Sequence, residues 1–242
     1  MILLIDAGNT RVKWGVVRDG TWVADGALAH DEIGELRNVI ANYPDVQQVH
    51  GANVAGKEIA AKIEAALRGL APPAKWLCAS ASLCGVRNSY ANPAQLGADR
   101  WAALIGAHTL HPGATLVVTA GTATTIDLLD RDGCFQGGLI LPGEALMLSS
   151  LASNTAQLPL ATGEFQATPR NTVDAIVSGC RNAQAGAVER MFRQIENEPD
   201  AICLVGGGGA STIAPLLTIP FRRIDNLVLK GLAAIALNGT VI

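Results

Sequence analysis

Short apolar runs and small-residue turns alternate at the start of the chain. Residues 1–5 are apolar and stop at Asp6-Ala7-Gly8-Asn9-Thr10, a run of small and polar residues that is typical of a turn. Residues 11–17 then alternate between apolar and polar positions, and a further strand-like segment, 21–28, follows the turn Arg18-Asp19-Gly20. Because alternation with a period of two is typical of strands, the pattern predicts a three-stranded antiparallel meander.

Apolar residues then recur at steps of three and four, which predicts helices. Asp31 is placed to cap the first helix, and Gly69 is placed to end the second. In chain order, the predicted elements are a helix carrying Ile33, Leu36 and Ile40, a strand at 46–54, a helix at 57–68, a strand at 74–79, a polar loop at 82–100 and a helix marked by Trp101, Leu104, Ile105 and His108.

The second half of the chain repeats the order of the first. A strand at 116–118 leads through a small-residue turn at 119–122 to strands at 124–129 and 135–141. These are followed by helices at 143–152 and 171–196, a strand at 201–205 that ends in four glycines, a short helix at 213–217, a strand at 221–224 and a closing helix at 227–237. The repeat predicts an α/β fold with two related domains, 1–112 and 113–242, and the alternative is a chance likeness between two ordinary α/β segments.

Composition narrows the class of protein. Of the 242 residues, 49% are hydrophobic and 16% are charged, which allows a sizeable core and excludes a disordered chain. The net charge of -3 lacks the basic excess of a nucleic-acid-binding protein. The apolar runs are too short or too interrupted for a signal peptide or a membrane span. The five scattered cysteines lack CxxC or zinc spacing, so we expect reduced thiols in a cytoplasmic protein.

Three small-residue turns, at 6–10, 119–124 and 206–209, are candidate phosphate-binding segments. Glycine lets the backbone N–H groups approach an anion, and threonine hydroxyls add donors. Neither GxxxxGK[ST] nor GxGxxG after a strand is present, and each turn alone is also typical of a plain hairpin. Asp6 either orients a magnesium-bound phosphate through water or bonds within its own turn. Lys13 either neutralises a phosphate or is an ordinary solvated lysine.

A second candidate site is Gly97-Ala98-Asp99-Arg100, which precedes a predicted helix. A carboxylate beside a guanidinium pairs a general base with an anion-binding group. The alternative is a helix-capping aspartate next to a surface arginine. Tyr90 either lines the same pocket or anchors the loop.

These segments together resemble the type III pantothenate kinases, also called the Bvg accessory factor family. The resemblance follows the order and spacing of motifs along nearly the whole chain. The matching segments are Asp6-Ala7-Gly8-Asn9-Thr10 with Lys13-Trp14-Gly15, Tyr90-Ala91-Asn92-Pro93 with Gly97-Ala98-Asp99-Arg100, Gly121-Thr122-Ala123-Thr124-Thr125 with Asp127, Gly137-Gly138 with Pro142-Gly143, and Asn171-Thr172 with Gly179.

The resemblance implies duplicated actin-like ATPase (ribonuclease H-like) domains with a nucleotide cleft between them. It also implies ATP- and Mg²⁺-dependent phosphorylation of pantothenate, the first step toward coenzyme A, by a homodimer. Carried over by position, Asp99 accepts the hydroxyl proton. The implied ATP-binding residues are Asp6, Ala7, Gly8, Asn9, Thr10, Arg11, Val12, Lys13 and Thr122, and the implied substrate-binding residues are Tyr90, Gly97, Ala98, Asp99, Arg100 and Thr172.

Thr119 departs from the family pattern, which has an aspartate cation ligand two residues before the Gly-Thr of the second hairpin. The resemblance implies activation by K⁺ or NH₄⁺, but threonine removes a full negative charge from that place. The alternatives are that no such cation is needed, that carbonyl oxygens bind it, or that another cation replaces it.

Two other functions fit the same residues. One is a kinase of the same superfamily that acts on another small hydroxyl compound, such as a sugar. The other is a nucleotide-binding regulator that acts through a protein partner. The Asp99-Arg100 pair favours catalysis, because a regulator needs ATP contacts but no acceptor base.

Overall fold

The computed structural model describes residues 1–160 and 162–238, and the chain forms two units. The first unit comprises Met1–Pro112, Gly133–Phe135 and the segment that starts at Asn226. The second unit comprises Gly113–Asp132 and Gln136–Asp225. Residues 161 and 239–242, which fall within the predicted second domain, lie outside the described residues.

Apart from β6 and β7, the helices and strands follow the order expected from the sequence pattern. In chain order they are β1 (Ile2–Ala7), β2 (Arg11–Arg18), β3 (Thr21–Ala29), α1 (Leu36–Ala41), β4 (Gln48–Asn53), α2 (Lys57–Leu67), β5 (Lys75–Trp76), β6 (Ser82–Leu83), β7 (Val86–Asn88), α3 (Ala98–Leu110), β8 (Thr115–Ala120), β9 (Ala123–Leu129), β10 (Cys134–Pro142), α4 (Glu144–Asn154), α5 (Thr172–Phe192), β11 (Ile202–Gly206), α6 (Ala210–Ile213), β12 (Phe221–Arg223) and α7 (Leu227–Leu237).

The sheet of the first unit has the strand order β3-β2-β1-β4-β5. The predicted meander is confirmed, because β1–β2 and β2–β3 pair antiparallel. The strand β4 pairs with β1 in parallel. The apolar positions of the strands and of α1 and α2 form one core, which includes Leu3, Ile5, Val12, Ile40 and Ile63.

The closing helix α7 belongs to the first unit, although the sequence-based division places it in the second domain. It packs against α3 and against β1 and β4. A helix that is apolar on nearly all sides must be covered all round, and eight of the eleven residues of α7 are buried. Its hydrophobicity predicted burial, but the pattern carried no information about which partner would bury it.

The second unit repeats the strand order of the first, as β10-β9-β8-β11-β12. The strands β8 and β9 pair antiparallel, whereas β11 pairs in parallel with both β8 and β12. Its core combines the sheet with α5 and includes Leu116, Val118, Ile126, Val188 and Phe192. The predicted duplication of an α/β domain is therefore confirmed.

Three local predictions differ from the structure. Asp31 does not cap a helix, since the chain enters α1 through a short 3₁₀ turn, Ile33–Glu35, that has no side-chain cap. The strand predicted at 74–79 is reduced to the two residues of β5. The polar loop contains the hairpin β6–β7, and β7 pairs in parallel with Cys134 and Phe135, a long-range partner that local periodicity does not reveal.

Among the described residues, no helix combines the length and the hydrophobicity that crossing a membrane requires.

Candidate active site

The first small-residue turn joins β1 to β2 as a tight hairpin. The Gly8 N–H donates to the Arg11 carbonyl at 3.1 Å, and Asn9 and Thr10 are exposed. His30 Nε2 lies 2.9 Å from the Gly8 carbonyl oxygen. Since a carbonyl only accepts, the imidazole carries the proton at Nε2. This anchor is 22 residues away from Gly8, so no local signal in the sequence points to it.

Asp6 lies at the end of β1, directly opposite Lys13 in the β1–β2 pairing. Burial raises the pKa of its carboxyl from 3.8 to about 6 because the charged form loses hydration. Lys13 lowers that pKa, whereas the charge of Asp99 raises it. The first unit therefore brings two predicted carboxylates and the predicted lysine within electrostatic reach of one another.

Asp99 is the second residue of α3, where a carboxylate interacts favourably with the helix dipole. Its Oδ1 accepts from the Arg100 backbone N–H at 2.8 Å. Burial raises the pKa of Asp99, and the hydrogen bonds to backbone N–H groups and the charge of Arg100 oppose that rise. Gly97 is the N-terminal flanking residue, and a Cβ there would lie 2.7 Å from Asp99 Oδ1. Glycine thus leaves room for the carboxylate.

Arg100 is a buried arginine with only 6% of its surface exposed, so the surface-arginine alternative is wrong. Its Nη1 donates to the Tyr90 hydroxyl at 3.0 Å. The guanidinium carbon also lies 5.8 Å from the centroids of both the Tyr90 and the Phe135 rings. Tyr90 therefore both anchors its loop, through its N–H to Asn88 Oδ1 at 3.0 Å, and contacts Arg100.

The second hairpin, between β8 and β9, lies where three small-residue segments of the second unit meet. Within the hairpin, the Gly121 N–H donates to the Ala123 carbonyl at 3.0 Å. The Gly143 N–H donates to the Thr122 carbonyl at 2.8 Å, and the Gly209 N–H donates to the Ala120 carbonyl at 3.0 Å. The predicted second and third turns and Pro142-Gly143 therefore form one continuous rim. Thr122, in the second turn, is exposed.

Buried and partly buried polar side chains hold this rim, and local sequence patterns do not reveal them. Gln184 of α5 is fully buried, accepts from the Thr124 hydroxyl at 2.5 Å and donates to the Pro142 carbonyl at 2.9 Å. Glu144 accepts from Arg181 Nε at 2.7 Å and from the Thr212 hydroxyl at 2.8 Å. These partners lie 37 to 68 residues apart in the chain, which hides them from local pattern analysis.

Thr119 occupies the place in the second unit that Asp6 occupies in the first. Each is the fifth of six residues in a strand that pairs antiparallel with the next strand along the chain. Asp6 faces Lys13 across its hairpin, whereas Thr119 faces Thr125. The duplicated unit thus replaces a carboxylate–ammonium pair with two hydroxyls.

Thr172 is the first residue of α5 and is exposed, with Asn171 as the capping residue. It belongs to the second unit with Thr119 and Thr122, while the other predicted site residues belong to the first.

An apolar groove of about 600 Å³ lies between α4 and α5 in the second unit. Every residue of α4 is exposed or only partly buried. Leu146 on α4 is 48% exposed, and Leu139 and Ile140 on β10 are 40% and 65% exposed. The residues that line the groove include Pro142, Leu146, Met147, Leu151, Ile176 and Gly179.

Within residues 1–160 and 162–238, no group of three or more His, Cys, Asp or Glu side chains is arranged to hold a metal ion. Mg²⁺ in phosphoryl-transfer sites is bound by one or two carboxylates together with substrate phosphates and water. The Asp6 carboxylate, whose charged form is costly without a cation, fits that limited requirement.

Comparison with known proteins points to one family. The family model for type III pantothenate kinase matches residues 2–194. The type III pantothenate kinase of Aromatoleum aromaticum is 63% identical over 236 residues, which cover 98% of this chain and 98% of the relative.

Solved structures with low sequence identity share the fold. A Campylobacter jejuni protein assigned to the Baf family of transcriptional activators superposes with a TM-score of 0.62 at 21% identity, covering 98% of each chain. A Sinorhizobium meliloti protein named as a 2-dehydro-3-deoxygalactonokinase superposes with a TM-score of 0.61 at 16% identity, covering 100% of each chain. At these identities the likeness concerns the fold alone, and it agrees with the predicted duplicated actin-like ATPase architecture.

Proposed function

Because this chain belongs to the type III pantothenate kinase family, we propose that it transfers the γ-phosphoryl group of ATP to pantothenate. The product is 4'-phosphopantothenate, and the reaction is the first step of coenzyme A biosynthesis. The observation that supports this activity best is the arrangement of Asp6, Asp99 and Arg100 in the first unit. It combines a buried cation with two carboxylates whose pKa values are raised by burial.

In this proposal, the small-residue hairpin of each unit is a phosphate-binding segment for ATP. Residues 6–13 supply backbone N–H groups, the Thr10 hydroxyl and the Lys13 ammonium, and Thr122 supplies a further donor. Asn9, Thr10 and Thr122 are exposed in the described structure. Bound Mg²⁺ would neutralise charge on the phosphates, and Asp6 would hold it directly or through water.

Asp99 prepares the acceptor alcohol. The pantothenate hydroxyl oxygen forms a bond to the γ-phosphorus, the bond to the ADP oxygen breaks, and the hydroxyl proton passes to Asp99. The raised pKa of Asp99 makes its carboxylate a better proton acceptor than an ordinary aspartate. Arg100 and Tyr90 bind pantothenate, with Gly97 and Ala98 beside them and Thr172 as a further contact.

No step is assigned to a monovalent cation. The hydroxyls of Thr119 and Thr125 are neutral, so this pair does not supply the carboxylate that the family pattern places there.

We also propose a cytoplasmic homodimer. The exposed apolar face of α4 and β10 supports association with a second copy of the chain, because contiguous exposed apolar surface is typical of interaction sites. The five free cysteines fit a reducing compartment.

The activity is tested by incubating the purified protein with Mg²⁺, ATP and pantothenate and measuring phosphopantothenate and ADP together. Asp99→Asn should lower kcat on the order of 10²- to 10⁴-fold, as expected for loss of a general base. Fold and ATP binding should persist. The matched control is Asp31→Asn, since Asp31 is exposed and caps no helix.

Near-normal turnover of Asp99→Asn would remove Asp99 from the base role. A panel of sugar acceptors in the same assay separates the related kinase activity from this one. ATP binding without phosphorylation of any acceptor would favour the regulator instead.

A further inference from the structure

Phe135 is a fully buried aromatic residue whose ring lies against the Arg100 guanidinium. The guanidinium carbon is 5.8 Å from the centroid of the Phe135 ring and 5.8 Å from that of Tyr90. The two rings are themselves neighbours, with centroids 5.3 Å apart and planes inclined by 43°. The Arg100 guanidinium therefore packs against two neighbouring aromatic rings.

Both rings are held by the end of β7. Phe135 pairs with Asn88 in the parallel β7–β10 ladder, and its carbonyl accepts from the Ser89 N–H at 3.3 Å. The Asn88 side chain accepts from the Tyr90 N–H at 3.0 Å. One short strand thus fixes the backbone of both aromatic residues.

The two rings restrict the Arg100 side chain before a ligand binds, which lowers the entropy cost of binding. A free guanidinium on a long, flexible side chain loses conformational entropy when it is fixed on a ligand. An aromatic face attracts the cation through its quadrupole, and guanidinium is weakly hydrated enough to stack on it. The Tyr90 hydroxyl, 3.0 Å from Nη1, then fixes the rotation of the group. Arg100 is oriented before any substrate arrives.

We propose that Phe135 is a positioning residue for pantothenate binding, acting through Arg100. This inference rests on the proposed function, in which Arg100 binds the substrate. The aromatic face at 135 keeps the guanidinium in the orientation that the substrate meets.

The test compares Phe135→Leu, which keeps an apolar side chain but removes the aromatic face, with Phe135→Tyr, which keeps the face. Phe135→Leu should raise the KM for pantothenate by about 3- to 30-fold, the range of a desolvated cation–π contact. The KM for ATP and kcat should be unchanged in Phe135→Leu. Phe135→Tyr should have the same KM for pantothenate as the unaltered protein. If Phe135→Leu does not fold, Phe135→Met provides the same comparison with a side chain that fills irregular space.

A double-mutant cycle separates positioning from general packing. In an Arg100→Met background the cation that the ring attracts is gone, so adding Phe135→Leu should raise the KM for pantothenate no further. Ile63→Ala, in a core position of the same unit away from these rings, should lower stability without a selective change in this KM.

Equal, independent effects of Phe135→Leu in both backgrounds, or an unchanged KM for pantothenate in the single variant, would overturn the inference. Those results are distinct from failure of the proposed function, which is absence of phosphopantothenate with the unaltered protein.

Discussion

At the scale of single residues, Asp6 is the clearest conflict between stability and function. Burial raises the pKa of its carboxyl from 3.8 to about 6, so the charged form is disfavoured in the folded protein. The folded state therefore binds this proton more tightly than the unfolded state does. The free energy of unfolding falls as pH rises from about 4 to about 6, and the whole cost of the charge is present above that range. A cation bound with ATP would offset it.

We expect Asp6→Asn to stabilise the first unit at neutral pH while lowering kinase activity. Asparagine carries no charge at any pH, so the stability of the variant relative to the unaltered protein should rise by about 2 kcal/mol between pH 4.5 and pH 7.5. All four tryptophans lie within residues 1–112, so urea unfolding followed by tryptophan emission monitors this unit. Asp31→Asn, an exposed site, should show no such rise. A stability difference that is the same at both pH values would contradict the prediction.

Some single-residue roles are visible in the sequence and others are not. Asp6 stands at the end of an apolar strand, and Asp99 and Arg100 stand at a helix start, so local pattern alone singles them out. The sequence pattern predicts Phe135 only as a strand residue and Gln184 only as a polar residue within a helix. Their roles come from contacts with Arg100 and with Thr124, which lies 60 residues away from Gln184. Periodicity does not encode such pairings.

At the scale of elements, the contact of α3 with α7 determines how the helix that carries Asp99 is held. Gly231 of α7 lies against the Ala102 carbonyl, and a Cβ there would overlap that oxygen. Gly106 of α3 is similarly close to the backbone of α7, with an added Cβ 2.7 Å from the Leu227 carbonyl oxygen. The two helices therefore approach at backbone distance through a glycine on each.

We expect Gly231→Ala to destabilise the first unit by about 1–3 kcal/mol, because overpacking a tight contact outweighs the gain in helix propensity. Kinase activity should fall as well, since α3 must shift and carries Asp99 near its N-terminus. Urea unfolding monitored by tryptophan emission measures the effect. The control is Gly34→Ala in the same unit, where an added Cβ meets no atom within 4 Å. Equal stability of both variants would show that the contact is looser than described.

The hydrophobic periodicity predicts the bounds of an element where it continues over many consecutive residues. The closing helix was predicted at 227–237 and is found over Leu227–Leu237. The hairpin β6–β7 was missed because its strands have two and three residues, too few to show a period. It exists because β7 adds to β10 at Cys134 and Phe135. Short strands of this kind depend on a tertiary partner rather than on their own sequence.

At the scale of the whole molecule, the duplicated units share a strand order but differ in charge and surface. The first unit places Asp6 and Lys13 where the second places Thr119 and Thr125. The duplication was readable from the repeated element order. The Thr119 position is the counterpart of Asp6, because each is the fifth of six residues in its strand. The apolar groove between α4 and α5 lies in the second unit.

We expect Leu146→Asp to convert the proposed homodimer into a monomer, because a carboxylate would have to be buried in an apolar interface. Leu146 lines the groove and is 48% exposed, so the variant should fold normally by circular dichroism. Sedimentation equilibrium measures the association. Val23→Asp is the matched control, an apolar residue of the first unit that is 45% exposed. A monomeric unaltered protein would contradict the homodimer itself, whereas a dimer that survives Leu146→Asp would move the interface to another face.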